Sequence, residues 1–196
     1  MKNKLIILIL FILTVTLTSG CSNYRELNDL AIITGVAIDK SDDKYELSFL
    51  IANSPKAQTS SKEGEATTTV FSGKGDTLIE AANLIDNKSP KQLYYGHINV
   101  VVISEEVARE GFLKIADWLL RNPETRKQFY LIQAKDTKAK NILKIVEPLE
   151  SFPSQSIASL IESNITAQSI SSNIKYSPFI EKILDKGFDP MLPSIS

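Results

Sequence analysis

The sequence predicts a mixed α/β domain: a β-sheet of about five strands with helices packed on it, after a cleaved signal peptide. Three observations predict it. Short runs rich in Val, Ile, Tyr and Thr recur between Gly, Pro, Asn and Asp clusters, as strands do. Segments with apolar residues at helical spacing alternate with those runs. Hydrophobic residues make up 43% of the chain, enough for a core. The resulting order is strand, strand, strand, helix, strand, helix, strand, helix, which suits helices layered on a sheet.

The chain starts with Lys2 and Lys4, followed by an apolar run over residues 5–17 (LIILILFILTVTL). A membrane span needs about 20 apolar residues, so this run is too short. A positive start, a short apolar core and small residues before a cut describe a secretory signal peptide, assigned to residues 1–20. Cys21 follows Ser19-Gly20 and is the only cysteine in the chain. The pattern resembles a bacterial lipobox, in which the sulfur receives a diacylglycerol and the cysteine becomes the new N-terminus. Thr18 stands where such motifs usually carry Leu. A lone cysteine forms no intramolecular disulfide, and lipidation accounts for it. Residues 21–29 then form a lipidated tether.

Residues 30–39 (LAIITGVAID) read as a buried strand and residues 44–52 (KYELSFLIA) as its hairpin partner, with a turn at Ser41-Asp42-Asp43. Residues 53–66 form a polar loop, and residues 67–72 (TTTVFS) a third strand. Gly73-Lys74-Gly75 is expected to break that strand, and Asp76 to cap a helix over residues 77–87 with Leu78, Ala81, Ala82 and Ile85 inward. Residues 99–104 (NVVVIS) carry an unbroken apolar run, which predicts burial on both faces and a central position. Ser104 is read as the cap of a helix starting at Glu105-Glu106. Gly111 interrupts it, and residues 112–121 continue with Leu113, Ala116, Trp118 and Leu120 inward. Residues 128–134 form a further strand, and residues 137–145 a short helix with Ala139, Ile142 and Leu143 inward. A helix over residues 156–168 and a last short one over residues 179–184 follow, and residues 185–196 show no period. The domain is assigned to residues 30–150, and residues 151–196 to a helical segment beginning a following, truncated domain.

Composition and motifs argue against catalysis. The formal charge is −1, and falls to −3 without residues 1–20, so there is no basic excess for nucleic acid. There is no G-x-S-x-G elbow, no phosphate-binding loop and no dinucleotide fingerprint. The GKGD at residues 73–76 is read as a plain turn and cap. One histidine and one acylated cysteine make no ordinary zinc site, and Asp39, Asp42 and Asp43 lack calcium-loop spacing. No cofactor is called for. His97, in Tyr94-Tyr95-Gly96-His97, is read as structural, since no second titratable group gathers beside it in the sequence.

CSNYRELNDLAIITGVAIDK at residues 21–40, YYGHINVVVISEEVAREG at residues 94–111 and DWLLRNPETR at residues 117–126 resemble the Ger(x)C spore-germination lipoproteins. QAKDTKAKNIL, EPLESFPSQSIASLI and DPMLP continue the resemblance in family order, over nearly all of the chain after Cys21. The resemblance implies a non-catalytic lipoprotein subunit of a nutrient germinant receptor on the outer face of the spore inner membrane. Its partners would be integral-membrane subunits of the A and B type. It carries over Cys21 as the lipidation site, and Gly96 and His97 as a characteristic pair of structural or interface residues. Members are usually about twice this length, so a truncated form is expected. The alternatives are a stand-alone solute-binding surface lipoprotein and an inactive truncated remnant.

Overall fold

The computed structural model describes residues 2–7, 26–52, 68–144, 159, 175–185 and 192–195. Cys21, the polar loop at residues 53–66 and most of the helix expected over residues 156–168 lie outside the described residues. Residues 2–7 are helical and exposed. Among the described residues no helix is long and apolar enough to cross a membrane.

A single 3₁₀ turn, Leu27–Asp29, leads into β1 (Leu30–Ser41), β2 (Lys44–Ala52) and β3 (Thr68–Gly75). Then come α1 (Leu78–Asp86), β4 (Gln92–Tyr94), β5 (Val100–Ser104), α2 (Glu105–Arg109) and α3 (Leu113–Arg121). β6 (Tyr130–Ala134), α4 (Ala139–Leu143), α5 (Tyr176–Leu184) and β7 (Ser194–Ile195) complete the order. The seven strands form one sheet in the order β3-β2-β1-β5-β6-β7, with β4 paired to the start of β1. β1, β2 and β3 run antiparallel, whereas β5, β6 and β7 run parallel to β1. The fold is therefore the expected mixed α/β, with more strands than the sequence predicts. β4 and β7 are three and two residues long, too short to register as apolar periodicity.

Strand alternation builds both faces of the sheet. Val36, Ile38, Val101, Ile103 and Leu131 face one core, covered by α1, α2, α3 and α5. Ala37, Val100, Val102 and Ile132 face the other, against α4. Val100 to Ile103 are at most 1% exposed, each burial stabilising the fold by about 2 kcal/mol. β5 lies between β1 and β6, in the interior position its unbroken apolar run predicts. The β1–β2 turn is a two-residue hairpin in which Asp42 and Asp43 both take positive φ, 56° and 59°. Such turns match the twist of the strands they join, and Asp tolerates that conformation.

Three local expectations are corrected. Gly73 and Gly75 do not break β3, which pairs with β2 as far as Gly75↔Tyr45. A Cβ on Gly73 would sit 2.4 Å from the Ala81 carbonyl oxygen, and one on Gly75 2.7 Å from the Ala81 nitrogen. The glycines let α1 lie directly on the edge strand. Second, the α1 cap is Thr77, not Asp76. Thr77 Oγ1 accepts the Glu80 N–H at 3.1 Å, while Glu80 Oε2 accepts the Asp76 N–H at 2.9 Å, a reciprocal pair written T-x-x-E in the sequence. Third, α3 buries Ile115, Ala116, Trp118 and Leu119, leaving Leu113 68% and Leu120 49% exposed. Both stripes obey helical spacing, and the seat of the helix on the sheet selects between them. α5 and β7, C-terminal to residue 150, contribute to the same core and sheet as β1 to β6.

Candidate functional site

The two ends of the sheet differ in chemistry. At one end, where the chain enters, Leu30 pairs with Gln92, and β4 and β5 lie in succession along the same side of β1. Between them the chain departs from β1 over residues 95–99 and returns when the Asn99 N–H donates to the Thr34 carbonyl at 2.9 Å. β1 is itself irregular there, its register with β2 shifting between Ile33 and Gly35. Bulges of this kind re-aim side chains. Buried Leu93 and Ile98 pin the two ends of the excursion, and Tyr94, Tyr95, Gly96 and His97 occupy it.

Gly96 is buried, and a Cβ there would lie 2.4 Å from the Tyr94 hydroxyl oxygen. Its role is close approach: the Tyr94 ring folds over it. His97 is exposed, its ring 5.8 Å from that of Tyr94 at 61°. The Gly-His pair thus positions one surface imidazole against one tyrosine. Tyr95 turns the other way. It meets Phe49 edge-on at 5.6 Å and Trp118 at 6.4 Å. Phe49 and Trp118 stack at 6.3 Å. Burial, with the Asp86 and Glu124 carboxylates next in order, pushes the Tyr95 hydroxyl well above its ordinary range, so it stays a proton donor.

Beside this aromatic cluster opens a cleft of about 430 Å³ between α1 and α3, floored by Tyr95 and Trp118. The sequence reading did not single it out. Tyr94-Tyr95 is the only local signal, because the two helices that wall the cleft are brought together by the sheet.

The far end of the sheet is stitched by polar contacts. Asp39 is 1% exposed, and its carboxylate accepts the Ala139 and Lys140 N–H groups at 2.8 and 2.9 Å. Burial raises its pKa from the ordinary value, against those two donors, which lower it. Glu46 faces Lys138 at 3.7 Å and Lys140 at 3.4 Å. Glu110 pairs with Lys40 and accepts the Tyr45 hydroxyl at 2.9 Å. The three aspartates of the hairpin therefore part company: Asp42 and Asp43 face solvent in the turn, and Asp39 tethers the start of α4. Among the described residues no group of three His, Cys, Asp or Glu could hold a metal ion.

The spore germination protein N-terminal domain family matches residues 23–196. Spore germination protein KC of Bacillus subtilis (strain 168) is 35% identical over 163 residues, covering 80% of this chain and 40% of that protein. YfkR of the same strain is 30% identical over 201 residues, covering 100% of this chain and 51% of that protein. Spore germination protein GerQC of Bacillus cereus is 26% identical over 189 residues, 96% of this chain and 50% of that protein. The chain thus spans about half or less of the length of these relatives. No solved structure matches it. The family match covers every described strand of the sheet, and on that ground the chain belongs to the spore germination protein family that carries this N-terminal domain.

Proposed function

We propose that this chain is the lipid-anchored, non-catalytic subunit of a nutrient receptor that triggers spore germination. The observation that carries the reading is the extent of the family match, residues 23–196, which begins two residues past Cys21. Membership of that family supports a germination role. A signal peptide over residues 1–20 and acylation of Cys21 would hold the domain on the outer face of the spore inner membrane. One acyl chain binds a bilayer only reversibly, so the diacylglycerol is what makes the anchor last. The tether, residues 21–29, spans at most about 30 Å when extended. Leu30, where it ends, pairs with Gln92, two residues before Tyr94. The Tyr94 to His97 turn would then face the bilayer side, within reach of integral-membrane partners of the A and B type. Gly96 and His97 act there as interface residues and not in chemistry.

Nutrient-triggered dipicolinate release from spores lacking the gene tests the reading across a panel of amino acids, sugars and nucleosides. Loss of response to one nutrient class is expected. An unchanged response, in a strain whose other receptors are also deleted, sinks the proposal. Cys21→Ala is expected to move the chain from the membrane to the soluble fraction and to slow the same response. Undiminished membrane association with the partner subunits absent would refute the anchor.

A further inference from the structure

We propose that the cleft between α1 and α3 is a binding site for an organic ammonium group on an apolar stem. Its shape and charge both argue for this. Ile79, Asn83 and Asp86 present one stripe of α1 to the cleft, and Ile79 is 46% exposed, so an apolar wall stands open to solvent. Half-buried Tyr95 and Trp118, 8% exposed and stacked on Phe49, line the floor. Their contacts with Phe49 and with each other hold both rings in place without a ligand. A cleft of about 430 Å³ accommodates a stem of several carbons.

Carboxylates outnumber cations two to one in the lining. Asp86 and Glu124 both line the cleft. Arg121 is the only cation among its described lining residues, and its Nε donates to Asp117 at 2.8 Å. Asp86 is the last residue of α1 and Arg121 the last of α3, so two helices of nine residues each turn their carbonyl ends toward this region. Helix C-termini attract cations. Aromatic faces bordered by carboxylates are the usual surroundings of bound ammonium groups. The same chemistry comes from two sources, a free amine or the lysine side chain of a protein, and the test separates them.

The chain has one tryptophan, and it floors the cleft, so its fluorescence reports occupancy directly. The full chain in non-ionic detergent is titrated with n-pentylammonium and, separately, with 1-pentanol. A saturable change with the amine and not with the alcohol is expected. Asp86→Asn should weaken amine binding about fivefold, the effect of removing one exposed counter-charge. Asp86 is exposed and makes no ion pair among the described residues, so this variant should fold. Glu124→Gln, which keeps the side chain's length and a hydrogen-bonding oxygen, is the second variant. Equal binding of N-acetyl-lysine amide assigns the site to a lysine side chain, and its failure beside a binding amine assigns it to a small solute. No saturable response to the amine, an equal response to the alcohol, or unchanged affinity in both variants overturns the proposal. The site does not depend on the anchor, so either reading can fail without the other.

Discussion

The hairpin end of the sheet and the end where the chain enters are built by opposite means. At the hairpin end, buried or half-buried polar groups meet partners: Asp39 with two amides, Glu46 with Lys138 and Lys140, Glu110 with Lys40 and Tyr45. Two glycines there let α1 seat against β3. At the other end, a loop leaves the ladder, His97 stands in solvent, and aromatic rings border an open cleft. Interaction surfaces are commonly carried by loops on a rigid scaffold, and the proposed receptor role would put one on the loop at the second end.

Substitutions at the two ends sharpen the contrast. The largest effect is expected for Gly73→Ala, whose Cβ would press on the Ala81 backbone carbonyl and shift α1. Overpacking of this kind costs about 3 kcal/mol, read by urea unfolding with Trp118 fluorescence. A loss below about 1 kcal/mol would show that the helix seat is soft. Asp39→Ala orphans two amide donors at the start of α4 and should cost about 2 kcal/mol in the same assay. Thr77→Ala removes one cap and should cost about 1 kcal/mol. At the other end His97→Ala should change stability by less than about 0.5 kcal/mol, as exposed sites do, while slowing nutrient-triggered dipicolinate release. A stability loss as large as that of Asp39→Ala would erase the distinction between the ends.

Proton titration separates groups within the scaffold end. Burial holds Asp39 above its ordinary value of 3.8. The unfolded chain therefore gives up that proton first, and the stability tied to protonated Asp39 is complete below 3.8 and lost as pH rises through the raised value. Glu110 is held below its ordinary 4.5, first by its bond from Lys40. Its contribution is present above 4.5 and lost as pH falls through the lowered value. Carboxyl ¹³C shifts followed against pH should place Asp39 above 3.8 and Glu110 below 4.5, and an Asp39 midpoint below 3.8 would contradict the dominance of its burial.

Local pattern carried much of the fold. The β1–β2 hairpin, the doubly buried β5, the Ser104 cap of α2 and the inward face of α4 were all legible, because each rests on residues a few positions apart. The glycines of β3 were misread because their meaning lies in a helix that passes over them. Of the site, Gly96 and His97 were visible as a motif. The cleft was not, since Asp86, Tyr95 and Trp118 are joined only by tertiary packing.

The sequence by itself determined most of the segments that extend or coil, where Cys21 stands, and which family the chain belongs to, since these follow from neighbours along the chain and from ordered motifs. Only the tertiary structure decided which of two equally periodic stripes of α3 turned inward, that Asp39 would leave its two neighbouring aspartates to hold α4, and that an aromatic floor would meet two carboxylates. Those outcomes depend on where helices come to rest on a sheet, and that is set by the summed packing of distant surfaces.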